Sequence, residues 1–299
     1  MVPFASLDPG ALRRLALIGL LPLLGACETV GSIGSRSAAP AVSARVAEVS
    51  EDRGEAAQAE SQVNIGSLSE VVARNPSDPG AYNTRGAAYA RTGRYKEAIV
   101  DFTKAVQINP TYAPAYVNRA LAHRQTGRND AALADFSSAI SSDPRSASAY
   151  LGRANLLRVQ GAHQEAFADL TKAIQLNPES AQAFHARGLL YQRQDQHRFA
   201  VSDFDAAIDR DPFAGAPYQA RGQSLVALGQ HEKAVEDFNA SLNVDNRNAD
   251  AWAGRGLAYE KLGRKSEAVE SYSRALSVDQ RNALAREGST RLGAPVARG

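Results

Sequence analysis

A single cysteine, a net charge of only +2 and the lack of any long apolar run set the first limits on this 299-residue chain. Cys27 stands alone, so it makes neither an internal disulfide nor a clustered metal site. Lys+Arg at 34 nearly balance Asp+Glu at 32, and the basic residues are interleaved with acids, so no general attraction to nucleic acid follows. The apolar stretch from Leu15 to Ala26 is too short to span a bilayer as a helix. No segment has the context of a phosphate-binding loop, a nucleophile elbow or a zinc-protease helix, and no cofactor is implied. What is present is a globular composition, 44% hydrophobic and 22% charged, enough for a substantial core.

That core follows a fixed period. Counting Pro79 as position 1, the first copy carries Tyr82 at 4, Arg85 and Gly86 at 7 and 8, Tyr89 at 11, Gly93 at 15, Tyr95 at 17, Ala98 at 20, Phe102 at 24, Ala105 at 27 and Pro110 at 32. The marks return every 34 residues: position 4 becomes Tyr116, Tyr150, Phe184, Tyr218 and Trp252, and position 20 becomes Ala132, Ala166, Ala200, Ala234 and Ala268. Six copies fill 79–112, 113–146, 147–180, 181–214, 215–248 and 249–282. An aromatic, a small residue before Tyr, then Ala-x3-Phe and Pro in this phase resembles the tetratricopeptide repeat family, over about two-thirds of the chain. One departure is systematic: position 7, usually Leu in that family, is Arg in all six copies.

Each copy reads as two amphipathic helices, because positions 4, 8 and 11 share one helical face and positions 20, 24, 27 and 28 another. Gly93, Gly127, Gly161, Gly229 and Gly263 at position 15 end the first helix in a left-handed turn, with Asp195 in that place in repeat four. Pro110, Pro144, Pro178 and Pro212 at position 32 stop the second helix; Asn246 and Gln280 in repeats five and six predict softer boundaries there. Small residues at 8, 20 and 27 let backbones approach, leaving room for the large residue at 4 or 24 of a neighbour. The fold class is all-α, and the resemblance implies an α-solenoid of six helix pairs whose first helices line a concave surface. Residues 61–78 read as an N-terminal capping half-repeat, with Leu68, Val71, Val72 and Pro76 at 24, 27, 28 and 32 of the preceding phase. Residues 283–299 read as a C-terminal capping helix and tail.

Ahead of the repeats, residues 1–26 read as a secretory leader, with Arg13 and Arg14 ending its basic region. Its end, Leu24-Gly25-Ala26-Cys27, resembles the bacterial lipobox, which implies cleavage and lipidation at Cys27. An ordinary signal peptide with a chance cysteine, or an uncleaved anchor, is the alternative. Residues 27–60, rich in Ser, Gly, Ala and Glu, bury too little to order themselves and read as a flexible tether with a span of about 30 Å.

Three groups of residues are candidates for chemistry. Arg85, Arg119, Arg153, Arg187 and Arg221 at position 7 face Asp101, Asp135, Asp169, Asp203 and Asp237 at position 23. This spacing predicts a ladder of structural ion pairs, with an anion-binding arginine row as the sharper alternative. In repeat six Arg255 meets Ser271 instead. His163, His197 and His231 share position 17, but equivalent points on packed helix pairs lie about 8–10 Å apart, too far for one metal centre. No metal site is assigned, and these histidines stand in for the aromatic that the family often has there. The groove positions that the resemblance supplies hold Asn83, Arg91, Val117, Leu121, Arg124, Leu151, Asn155, Arg158, His185, Leu189 and Arg193. An apolar floor with basic edges suits a partner segment that carries carboxylates or a free C-terminus. A solvated groove without a single ligand is the plain alternative, and the carboxylate-clamp pattern of chaperone-binding relatives is not reproduced.

These readings converge on a non-enzymatic, membrane-tethered scaffold or adaptor on the periplasmic side of a cell envelope, with the outer membrane preferred. The resemblance to bacterial repeat lipoproteins implies recruitment of an envelope protease or a peptidoglycan-remodelling enzyme through the groove. A pilotin-like assembly role for a pilus or secretin is the alternative, and an enzyme is a third. A homodimer is left open, and no nucleic-acid partner is expected.

Overall fold

The structure, a computed structural model, describes residues 65–293. The leader, Cys27 and the tether lie outside the described residues. A first helix, α1, covers residues 65–74. Six helix pairs follow. They are α2 (Pro79–Arg91) with α3 (Tyr95–Ile108), α4 (Ala113–Gln125) with α5 (Asn129–Ser142), and α6 (Ala147–Gln160) with α7 (His163–Leu176). Then come α8 (Ala181–Arg193) with α9 (His197–Arg210), α10 (Gly215–Ala227) with α11 (His231–Val244), and α12 (Ala249–Lys261) with α13 (Lys265–Val278). The short α14 (Ala283–Arg291) packs on α12 and α13 and closes the stack. No strand occurs among the described residues, and the chain is an all-α solenoid.

The turns between paired helices are set by backbone chemistry at position 15. The five glycines there have φ between 74° and 84°, where a Cβ would be strained, and Asp195 takes the same left-handed turn at φ 56°. The second helices end differently from the sequence expectation. Those of repeats five and six, which lack the proline, have the same length and the same ending as the others. The stop lies one residue earlier, in an Asn or Asp at position 31 whose side chain accepts a backbone N–H two residues on. Examples are Asn109 from Thr111 at 2.9 Å, Asp245 from Arg247 at 2.9 Å and Asp279 from Arg281 at 2.9 Å. Such a turn satisfies the chain as it leaves the helix whether or not proline follows, so the boundaries are alike.

Packing is built around one large residue per repeat. Phe102, Phe136, Leu170, Phe204, Phe238 and Tyr272, all at position 24, are essentially solvent-free. Burying each is worth about 1.5–3 kcal/mol. Each fits against a small residue at position 8 of its own repeat and, from Phe136 onward, against a Gly or Ala at position 6 of the following segment; after Phe102 that place is Asn118. A Cβ on Gly222 would lie 3.0 Å from Phe238, and one on Gly254 only 2.5 Å from the same ring. These contacts set the distance between neighbouring repeats. Consecutive first helices touch one another while consecutive second helices do not, so the first helices form the inner side of the curve.

Candidate functional site

The ladder lies between the two helix rows. Arg153 donates from Nε to Asp169 Oδ2 at 2.7 Å and from Nη2 to Asp169 Oδ1 at 2.8 Å, and the same forked pair joins Arg85 to Asp101, Arg119 to Asp135, Arg187 to Asp203 and Arg221 to Asp237. The aspartates are buried and the arginines half-buried. The hydrogen bond to its aspartate raises the pKa of each of these guanidinium groups. With two of their nitrogens committed in this way, the arginines are not arranged as an anion-binding row. Arg255 has no carboxylate and donates to Ser271 Oγ at 3.1 Å and to Asn239 Oδ1 at 2.8 Å; burial lowers its pKa.

A second link escaped the sequence reading. The remaining guanidinium nitrogen reaches position 25 of the preceding repeat: Ser69, Thr103, Ser137, Asp205 and Asn239 accept from Arg85, Arg119, Arg153, Arg221 and Arg255. Each arginine therefore ties two repeats, and Ser69 ties α1 into the stack. Repeat four is the exception, because Thr171 Oγ1 is buried without a hydrogen-bond partner and Arg187 makes no such bond.

On the inner row the groove candidates separate into distinct environments. Val117 does not belong to the exposed floor. It is only 8% exposed and packs among Ala120, Phe136, Ala149 and Leu156, so α5 and α6 cover it. Asn83 accepts a hydrogen bond from Asn118 Nδ2 at 2.9 Å and ties α2 to α4. Leu121 is 37% exposed, and Leu151, Asn155 and Leu189 are half-buried. Arg91 and Arg193 are exposed, and Arg124 is half-buried. Arg158 is half-buried too, and its Nε is enclosed with no hydrogen-bond partner. His185 lies 5.8 Å from the Phe204 ring, and burial first, then Arg158, holds its pKa below the usual histidine value.

Between α2 and α4 the row forms an open depression of about 370 Å³. Ala87, Leu121 and Phe102 give it an apolar floor, and Arg91, Arg124 and Asn118 a polar edge. Gln192, at a groove position in repeat four, donates instead to Ala220 O and Ser224 Oγ, both at 3.1 Å, and ties α8 to α10. Among the described residues no group of His, Cys, Asp and Glu side chains is placed to hold a metal ion, and no helix is long and apolar enough to cross a membrane.

Stacked helix pairs with a solvent-facing inner row define a helical-repeat scaffold. Models of the tetratricopeptide repeat match residues 79–112, 117–181 and 249–282, and a further TPR repeat model matches 222–263; the chain belongs to the tetratricopeptide repeat family. Among solved structures, YrrB, described as a TPR protein with an unusual peptide-binding site, is similar at 25% identity and TM-score 0.55, over 63% of this chain and 97% of that one. PilW, a widely conserved type IV pilus biogenesis factor, is similar at 19% identity and TM-score 0.61, over 70% of this chain and 97% of that one. The Cut9–Hcn1 hetero-tetramer of APC/C gives 18% identity and TM-score 0.65 over 75% of this chain, which spans 44% of that longer one. No curated protein sequence matches the chain significantly.

Proposed function

We propose that the chain is a protein-binding scaffold whose inner row holds a partner segment bearing carboxylates, and that Cys27 tethers it by lipid to the periplasmic face of a bacterial envelope membrane. The observation that carries the binding reading is charge left unspent on that row. Arg91, Arg124, Arg158 and Arg193 form no ion pair with the described residues, beside Leu121, Leu151 and Leu189, whereas five of the six ladder arginines are paired. Apolar burial would supply affinity, and the guanidinium groups would fix the orientation of a carboxylate. The likeness to a structure with a peptide-binding site supports the same use of the scaffold. No catalytic role enters this reading.

The partner favoured is an envelope protease or a peptidoglycan-remodelling enzyme, brought to the membrane by the tether. Assembly of a pilus or secretin subunit is the second reading, motivated by the fold shared with PilW. A pull-down with the full-length, membrane-anchored protein separates them. Enrichment of a protease or wall hydrolase, lost when Arg124 and Arg158 are reversed to Glu, supports the first. Enrichment of secretin or pilus subunits replaces it with the second. Cys27→Ser should release the chain from membranes or leave it unprocessed; unchanged fractionation and mass would remove the tether from the model.

A further inference from the structure

Repeat four departs from repeats one and six, which also have tyrosine at position 11, at a place outside the groove. In repeats one and six the tyrosine at position 11 is covered by an arginine from position 16, itself held by a glutamate at position 19. Arg94 lies 4.5 Å from the Tyr89 centroid and bonds Glu97 at 2.8 Å; Arg264 lies 4.7 Å from Tyr259 and bonds Glu267 at 2.8 Å. In repeat four those positions are Tyr191, Gln196 and Phe199. Phe199 stacks on Tyr191 with centroids 5.4 Å apart and remains 61% exposed, while Phe167 of repeat three meets Tyr191 edge-on at 5.1 Å. An ionic cover has been exchanged for an exposed aromatic surface. Beside it opens a cavity of about 440 Å³, lined by His163, Gln164, Phe167, Tyr191, Gln194 and Gln196.

We propose that this cavity binds a neutral glycan chain. The lining includes no Lys, Arg, Asp or Glu, and His163 is its one basic side chain, so no permanent charge there compensates a phosphate, a carboxylate or a cation. Three glutamine amides each present a donor and an acceptor, which matches hydroxyl groups that also donate and accept. A polyproline segment offers backbone acceptors alone and would leave the amide oxygens without partners. Aromatic rings supply the apolar faces against which the C–H face of a sugar lies. The free face of Phe199, backed by Tyr191, extends that surface beyond the cavity. The volume falls within the range of small-ligand clefts, about 300–1,000 Å³.

The walls come from α7 on one side and from α8 and its following turn on the other, so an occupant bridges repeats three and four. This is the junction at which Arg187 makes no bond to Thr171. A bound glycan therefore adds a link where the ladder lacks one, and raises the melting temperature. The lining shares no residue with the candidate groove, so the site stands apart from the proposed partner binding.

The test is calorimetric titration of the full-length protein with cellohexaose, with the hexamer of β-1,4-linked N-acetylglucosamine, and with a proline decamer. Saturable binding of one hexasaccharide is expected, and the arm that binds shows whether the acetamido group is recognised. Phe199→Ala and the pair Gln164→Ala/Gln196→Ala should each weaken it at least tenfold, whereas Arg124→Glu should not change it. The wild type should melt higher with the sugar present. Failure of both sugars to saturate at millimolar concentration, undiminished binding by Phe199→Ala, or binding of the proline decamer alone would each overturn the proposal. Loss of partner capture in the Arg124/Arg158 reversal with sugar binding intact bears on the groove and leaves this site standing.

Discussion

Arg153 holds Asp169 by two parallel hydrogen bonds, Nε to Oδ2 at 2.7 Å and Nη2 to Oδ1 at 2.8 Å, across the two helices of repeat three. Asp169 is 6% exposed, so a variant that removes the guanidinium leaves a buried carboxylate without its partner. Arg153→Ala should cost about 3 kcal/mol of unfolding free energy in a denaturant titration. Arg255→Ala should cost about 1 kcal/mol, because no carboxylate is stranded and Ser271 Oγ already donates to Glu267 O at 2.8 Å. Equal losses at the two positions would show that the ladder stabilises through something other than charge pairing.

Glycine 152 and Phe136 give a prediction whose sign runs against helix propensity. Replacing glycine by alanine within a helix normally stabilises it by about 0.5–1 kcal/mol. A Cβ on Gly152 would lie 2.3 Å from two carbons of the fully buried Phe136 ring, so Gly152→Ala should instead destabilise by about 1–3 kcal/mol. Gly66 in α1 has nothing within 4 Å of its added Cβ, and Gly66→Ala should be neutral or mildly stabilising. Thermal melts of the two variants, read side by side, check the contrast. A stabilised Gly152→Ala protein would mean that the repeat spacing is not set by this contact.

The position-24 residues, the paired arginines and aspartates, and the left-handed turns at position 15 were legible because each place in the 34-residue frame keeps one kind of residue in nearly every copy, with Leu170, Ser271 and Asp195 as the departures. What stayed hidden lies between frames or in mixed chemistry. The cross-repeat acceptors are Ser69, Thr103, Ser137, Asp205 and Asn239, four residue types among five places, so their common role appears only when α1 and the second helices are seen beside the next arginine. The stop at position 31 was visible as Asn109, Asp143, Asn177, Asp211, Asp245 and Asp279, but proline at position 32 is the louder signal and hid it. Val117 and Leu151 occupy the same repeat position, yet one is buried and the other half-buried. Exposure on the inner row depends on how the next pair of helices packs, which periodicity does not record.

Two histidines make stability depend on pH. Burial holds His185 and His123 below the usual value, opposed at His123 by Asp135 and reinforced by Arg119 and Arg128, and reinforced at His185 by Arg158. In the unfolded chain both titrate near 6.5. As pH falls below that value the unfolded state takes up protons that the folded state refuses, so stability is full above about pH 6.5 and declines down to the lower folded pKa values. The melting temperature should drop between pH 7.5 and pH 5.5, and His123→Gln/His185→Gln should drop less. An identical pH profile for the double variant would assign the loss to other groups.

The inner row yields the decisive functional contrast. Arg124 edges the depression floored by Leu121 and Phe102, and Arg158 has a buried Nε with no partner in the protein, so both have unspent capacity for an acidic ligand. Neither forms an ion pair with the described residues, so reversing their charge strands no carboxylate, and the fold should tolerate Arg124→Glu/Arg158→Glu with little change in melting temperature. Binding of the partner captured by the wild type should weaken at least tenfold, about 1.4 kcal/mol, and most of that loss should appear as faster dissociation. Lys104 and Lys172 are exposed on the second helices α3 and α7, away from the row of touching first helices. Their reversal to Glu changes the net charge by the same amount, so it controls for long-range steering and should leave affinity within about twofold. If the second-helix pair abolished binding and the inner pair did not, the partner surface would have to be moved to the outer face of the solenoid, because net charge alone could not produce that order.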